Sequence, residues 1–301
     1  MNEIGILNTI KNIIGERYIG DDCAYLEDLG IVITQDSLVE DVHFKREWIT
    51  PYQLGYKSVA VNISDVFASG ACPAYITIAL SLPNNLSENF VEDFYKGAEA
   101  ALYGAKIIGG DITGSADKIF ISISAVGKTK NRNISSRKNA KPGYIIITKG
   151  QFGASAAGLS KLISGDNSSP ELIKAHLEPQ LDYNFADIIA RTVCEPYAMM
   201  DTSDGLADAL FKIAEAGDVK AVVDYSLIPH PHNVSKDFVL FGGEDYNLIA
   251  AIPEKYISCI PGANVLGKIV DYDGVRLDIS GQIFREYSEL EVFNHFGENN
   301  G

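Results

Sequence analysis

Thr50-Pro51-Tyr52-Gln53-Leu54-Gly55-Tyr56-Lys57-Ser58-Val59-Ala60-Val61-Asn62-Ile63-Ser64-Asp65-Val66-Phe67 begins with a helix-start signal and keeps helical spacing to its end. Thr50 is a good N-cap, and Pro51 suits the first helical position, where no backbone N–H is needed. Leu54, Val59, Ala60, Ile63 and Phe67 fall on one apolar side. On either side of this helix the period changes. Residues 31–34 read as a strand, and residues 76–82 as another, closed by Pro83. Ser87 is expected to cap a second helix, whose Phe90, Val91, Phe94, Ala98, Ala101 and Leu102 keep helical spacing until Gly104 ends it. Residues 118–126 alternate, with Ser122 and Ser124 on one face and Ile119, Ile121 and Ile123 on the other.

The polar, basic, turn-rich segment 128–143 is the best candidate for a domain boundary. It divides residues 1–138 from residues 139–301. Beyond it the pattern restarts: a strand at 144–148, a helix rich in small residues from Ser155, and a polar loop at 165–170. A helix near 185–193, a strand at 197–200 and a helix starting near Ser203 follow, then strands at 221–224, 247–252 and 265–269. Alternating elements of this kind predict an α/β (or α+β) architecture in two domains.

Composition narrows the partners. The chain of 301 residues carries 25 basic and 40 acidic residues, a net charge of −15. Such a surface repels nucleic-acid backbones and anionic membranes, so neither is expected as a partner. It also repels nucleotide phosphates, so an acidic protein that uses them needs metal cations between its carboxylates and the phosphates. No apolar run approaches the roughly 20 residues of a membrane span, and the start of the chain lacks the basic-then-apolar order of a secretion signal. Cys23, Cys72, Cys194 and Cys259 form no C-x-x-C pair and read as reduced, buried thiols of a cytoplasmic protein.

Five acidic positions share one local context, an apolar element running into aspartate beside small residues. They are Gly20-Asp21-Asp22, Thr34-Gln35-Asp36, Asn62-Ile63-Ser64-Asp65, Gly109-Gly110-Asp111 and Asp201-Thr202-Ser203-Asp204-Gly205. Alone, each aspartate reads as a turn or cap residue. Together they ask for a shared cause, because aspartate is rarely buried unless paired or bound to metal. Mg²⁺ supplies one: it takes hard oxygen ligands and is usually shared between carboxylates and substrate phosphates. The run Gly153-Ala154-Ser155-Ala156-Ala157-Gly158 sits at a strand-to-helix junction, where backbone N–H groups meet anions. Close helix packing accounts for it equally well.

The ordered set extends further. It holds Gly20-Asp21-Asp22, Asp36 followed by Val42-His43-Phe44, Lys57-x-x-Ala60-Val61-Asn62-Ile63-Ser64-Asp65, and Gly109-Gly110-Asp111. It continues with Ser155-Ala156-Ala157-Gly158-Leu159, Asp201-x-Ser203-Asp204-Gly205-Leu206 and Gly242-Gly243-Glu244-Asp245-Tyr246. This set resembles the thiamine-monophosphate kinase family, within the superfamily of aminoimidazole-ribonucleotide synthetase. The likeness runs from about residue 18 to Phe296.

The resemblance implies a two-domain, synthetase-like fold in which the N-terminal α/β domain joins its twin in a homodimer and the C-terminal α/β domain covers the nucleotide. It implies ATP as phosphoryl donor and thiamine monophosphate as acceptor. Asp22, Gln35, Asp36, Asp65 and Asp111 match metal positions of the N-terminal half, and Asp201 and Asp204 those of the C-terminal half. Asp65 and Asp204 match the most critical of these. Tyr103, Gly110, Asp111, Arg137 and Ser203 match nucleotide contacts, while His43, Glu244 and Phe293 match positions around thiamine monophosphate. The family usually has Thr where this chain has Gln35.

A phosphate acceptor is already ionised at neutral pH, so the implied mechanism is direct in-line transfer aided by several Mg²⁺ ions, with no phosphoenzyme. The alternatives are another ATP-dependent synthetase of the superfamily, or a non-catalytic nucleotide-binding protein. Selenophosphate synthetase would pair a reactive residue such as Cys23 with a lysine that this chain lacks.

Overall fold

The computed structural model describes residues 3–292, so Phe293 lies outside the described residues. In chain order the elements are α1 (Glu3–Ile14), β1 (Ala24–Leu26), β2 (Ile31–Val39), α2 (Pro51–Ala68), β3 (Cys72–Pro83), α3 (Glu88–Ala100), β4 (Lys106–Ser115) and β5 (Phe120–Lys128). The second half holds β6 (Tyr144–Thr148), α4 (Ala154–Ser164), α5 (Pro170–Leu177), α6 (Tyr183–Thr192), β7 (Ala198–Asp201), α7 (Leu206–Ala216) and β8 (Val219–Val223). It ends with α8 (Lys236–Phe241), β9 (Leu248–Pro253), β10 (Asn264–Asp271), β11 (Leu277–Ile279) and β12 (Gln282–Phe284).

Two sheets result. The first has the order β1-β2-β5-β3-β4, and the second β12-β11-β8-β10-β6-β9-β7. The chain passes from one to the other between Lys128 and Tyr144.

α2 is the spine of the fold. Thr50 and Gln53 form a reciprocal capping box at its start, with Pro51 behind the cap, which satisfies two of the orphan donors of a helix end. The sequence suggests one apolar side, yet 14 residues of α2 are buried. The reason is position: α2 packs on the first sheet and also meets β7, α5 and α6, so even Lys57, Ser58, Asn62 and Ser64 are enclosed. Where α2 crosses α3 the backbones touch. A Cβ on Gly55 would stand 1.9 Å from the Phe94 carbonyl oxygen, and one on Gly97 1.8 Å from that of Tyr52. Neither position admits a side chain without separating the helices.

Hydrophobic packing is continuous across the halves. Val32, Ile63, Ile78 and Ile123 of the first half share one buried cluster with Ile147, Phe185, Ala250 and Ile252 of the second. The opposite face of the second sheet packs on α7 through Ile146, Met200, Ile249 and Leu210.

Several boundaries differ from the sequence reading. β2 runs through Thr34-Gln35-Asp36 instead of stopping there. Gly109-Gly110-Asp111 lies inside β4, an edge strand exposed over most of its length, and not at an element's end. The expected polar loop is present at 165–169, and the helix that follows it, α5 with Pro170 at its start, is one the sequence reading did not mark. Cys23 and Cys72 are buried, but Cys194 and Cys259 are exposed; all four are free thiols. No helix of the described residues is long and apolar enough to cross a membrane.

Candidate active site

Five of the aspartates meet where β2, α2 and β7 come together. Asp36 leaves β2 on the side that faces α2, Asp65 occupies the last turn of α2, and Asp201 ends β7. Asp22 comes from the loop before β1, and Asp204 from the turn between β7 and α7. That turn is free to serve the site, because the cap position of α7 is Gly205 with no side-chain cap.

Single carboxylate oxygens of Asp22, Asp65 and Asp201 all lie within 4.8 Å of one another. Thr34 Oγ1 donates to Asp65 Oδ2 at 2.5 Å, and Ser64 Oγ donates to Asp201 Oδ2 at 2.5 Å, tying the two halves together. The Asp36 amide donates to Asn62 Oδ1 at 3.0 Å. Arg137 donates from its guanidinium to Asp22 Oδ1 at 2.8 Å, and its amide donates to Asp21 Oδ1 at 2.8 Å.

This crowding is unfavourable for charge. Burial, followed by repulsion from Asp22 and Asp204, raises the pKa of Asp36 to about 6. Burial and the charge of Asp22 raise that of Asp201 to about 7, against the hydrogen bond from Ser64. Asp65 is pushed well up by burial and then by Asp36, Asp201 and Asp22. Arg137 pairs with Asp22 and Lys212 with Asp204 at 3.1 Å, while Asp36, Asp65 and Asp201 have no ion pair among the described residues. An all-oxygen donor set with excess negative charge fits a hard divalent cation such as Mg²⁺.

A measurable consequence follows for stability. A carboxyl whose folded pKa lies above its unfolded value favours the folded chain while protonated, and that contribution is lost as pH rises through the folded value. For Asp36 and Asp201 the loss falls between about pH 4 and pH 7. In EDTA the thermal midpoint is therefore expected to be lower at pH 8 than at pH 5, by about 5 °C or more. Saturating Mg²⁺ should abolish most of that difference. Midpoints in EDTA that do not change between the two pH values would contradict the repulsion.

A cleft of about 770 Å³ opens from the carboxylates. Asp36, Asp65 and Asp204 line it, together with apolar and aromatic wall from Val42, Trp48, Leu159 and Tyr246. Ser203, His43 and Glu244 also line it. His43 Nδ1 accepts the Val39 amide at 3.0 Å, which leaves Nε2 as the protonated nitrogen of a neutral ring.

Other expected residues lie elsewhere. Gln35 is on the opposite face of β2 from Thr34 and Asp36, where its amide bonds Ser122 at 3.2 Å and Ser124 at 3.1 Å. Its side chain does not join the carboxylates; Thr34 supplies the hydroxyl beside them.

Asp111 sits opposite Ala79, which is opposite Ser122, which is opposite Ser37. That row shows its side chains on the face away from α2. β4 is also three strands from β2, roughly 14 Å. Asp111 therefore cannot reach the cluster of its own chain. Gly110 shares that distant strand, in the row of Ile78, Ile123 and Asp36. Tyr103 packs edge-on against Phe67, with ring centroids 5.4 Å apart, and its hydroxyl accepts the Leu181 amide at 3.3 Å. It is not part of the cleft wall.

The helix start near Gly153 already holds an anion. Asp245 accepts the amides of Gly153 at 2.6 Å and Ser155 at 3.0 Å. The close-packing reading also holds there: a Cβ on Gly158 would lie 2.0 Å from the Leu172 carbonyl oxygen.

The sequence assigns no role to Lys57 and His176, which approach Glu244, or to Ser155, whose hydroxyl lies 3.0 Å from His176 Nδ1. Lys57 stood inside a recognised motif, and a lysine in the middle of a buried helix is itself a signal.

A family model described as "AIR synthase related protein, N-terminal domain" matches residues 20–129. The thiamine-monophosphate kinase of Bacillus subtilis (strain 168) is 36% identical over 253 residues, covering 78% of this chain and 77% of that protein. That of Prochlorococcus marinus is 32% identical and covers 98% and 96%. A solved structure described as "AaThiL complexed with AMPPCP and TMP" superposes with a TM-score of 0.88 at 30% identity, covering 98% of this chain and 97% of that one.

Proposed function

The chain belongs to the thiamine-monophosphate kinase family, and from that premise we propose that it transfers the γ-phosphoryl group of ATP to thiamine monophosphate in one in-line step assisted by several Mg²⁺ ions. The products are thiamine diphosphate and ADP. The observation that carries this reading is the convergence of carboxylates from both halves beside one cleft. The same cleft also carries apolar and aromatic side chains, as an acceptor with a charged end and an organic end requires.

The barrier is electrostatic, since two anionic phosphate groups must come into contact. Like unit charges about 4 Å apart repel by ~1 kcal/mol in bulk water and ~4 kcal/mol at an intermediate dielectric. When bound, Mg²⁺ supplies positive charge between the two phosphates and holds them in line. Asp22, Asp36, Asp65, Asp201 and Asp204 are the residues that would hold it. Thr34 and Ser64 fix the orientation of two of these carboxylates, and Arg137, paired with Asp22, and Ser203, on the cleft wall, would contact the donor phosphates. The acceptor oxygen is already ionised, so no side chain needs to remove a proton. The division of labour falls at Lys138, with residues 139–301 closing the site over the nucleotide. A cytoplasmic setting, where ATP is at hand and thiols stay reduced, belongs to this proposal.

The test supplies ATP and Mg²⁺ with thiamine monophosphate or, in parallel, free thiamine. Thiamine diphosphate is expected from the first and no phosphorylated product from the second. Turnover of thiamine alone, or labelled enzyme trapped from γ-labelled ATP without acceptor, would overturn the reading.

The proposal includes a homodimer. Ile108 and Ile112 of β4 are 61% and 67% exposed, and an uncovered apolar edge strand invites another chain. A second copy seated there would cover these residues and bring Asp111, Gly110 and Tyr103 toward the other chain's site, where the family pattern wants them.

A further inference from the structure

Glu244 faces the cleft with a side chain that is 26% exposed, and each of its oxygens has a side-chain nitrogen of another element close by. The ammonium of Lys57, on α2, lies 3.1 Å from Oε1. Nδ1 of His176, on α5, lies 3.3 Å from Oε2 and 3.0 Å from Ser155 Oγ. Lys57 is 1% exposed, and Glu244 is its only ion-pair partner among the described residues. A lysine so enclosed persists only with a reason, because removing an ammonium from water is costly. His176 stays neutral at pH 7, since burial and then the Lys57 charge lower its pKa to about 4. The Glu244 backbone is equally constrained: it adopts a φ of 65°, and its amide donates to the Ser203 carbonyl at 2.7 Å.

Lys57 and Asp65 belong to one helix, eight positions apart, which corresponds to about 12 Å along the axis. Asp65 and Glu244 both line the cleft. We infer that Lys57 and His176 are positioning residues that hold Glu244 against the organic half of the acceptor. Through Lys57, α2 sets the distance between that carboxylate and the metal-binding end. The inference rests on the function proposed above. It gives the buried lysine a role in selecting an acceptor that already bears one phosphate, because only a molecule reaching both the carboxylate cluster and Glu244 engages both groups.

The test is a double-mutant cycle read in steady-state kinetics on the full-length protein. Lys57→Met is expected to raise the KM for thiamine monophosphate about 30-fold, as loss of a charged partner does, and to change the KM for ATP by less than about threefold. Lys57→Arg should restore most of the loss. If Lys57 acts through Glu244, then Lys57→Met combined with Glu244→Gln is no worse than Glu244→Gln alone. Effects that multiply, or KM values for both substrates rising together as the thermal midpoint falls, would show a structural lysine and overturn the inference. Should Lys57→Met fail to fold, the cycle of His176→Gln with Glu244→Gln puts the same question. A wild-type chain with no preference for thiamine monophosphate defeats the function itself, an outcome distinct from any of these.

Discussion

Asp65→Asn is expected to lower kcat on the order of 10³-fold at saturating Mg²⁺ while leaving the fold intact, a loss of about 4 kcal/mol of transition-state stabilisation. Asp65 is the aspartate nearest to several others at once: burial and then Asp36, Asp201 and Asp22 raise its pKa. Asparagine has the same size and keeps an oxygen to accept the Thr34 hydroxyl, now 2.5 Å from Oδ2. It removes one charge and nothing else of consequence. In EDTA at pH 8 the variant should melt at or above the wild-type temperature, because a repelling charge has gone. Activity and stability thus move in opposite directions, which separates a metal-binding role from a packing role. Near-normal kcat at saturating Mg²⁺ would end the assignment, and a lower melting point in EDTA would point to packing.

The carboxylates were legible because aspartate is poorly suited to the places it occupies. Asp36 within an apolar strand, Asp65 in a buried helix and Asp201 at the end of an apolar strand each contradict local preference, and such contradictions concentrate at functional sites. Less could be read from local pattern alone. The side of Gln35 was available, since a period of two puts it opposite Thr34 and Asp36, but only if β2 was seen to continue past Thr34. The helix carrying His176 was announced by Ser169-Pro170, a cap-and-first-turn pair hidden within a polar stretch. The partner of Lys57 lies 187 positions away in the chain, and no local pattern encodes such a contact. Strand order was the hardest part. β5 inserts between β2 and β3, and β4 pairs parallel to β3 at the edge, so Asp111 ends far from the aspartates that its motif resembles.

That misplacement yields the second large effect. Asp111 should contribute to the site of the partner copy, so Asp111→Asn alone is expected to cost about 100-fold in kcat, the scale of removing one charged group from such a site. Asp65→Asn and Asp111→Asn chains are then each nearly inactive as homodimers. Unfolding and refolding an equal mixture produces mixed dimers in about half of the molecules, by the symmetry of a two-fold assembly. In each mixed dimer one site collects both substitutions and the other collects neither. Recovered activity should approach about a quarter of wild type, set by half the dimers with one working site in two. Sites built within single chains would give no recovery, because every site in the mixture would carry one substitution. Full recovery is impossible on either arrangement, so the assay distinguishes a quarter from nothing. A mixture that stays as inactive as its parents, with dimers confirmed by sedimentation, would overturn the cross-chain assignment, which rests on Asp111 facing away from α2 three strands from β2 in its own chain.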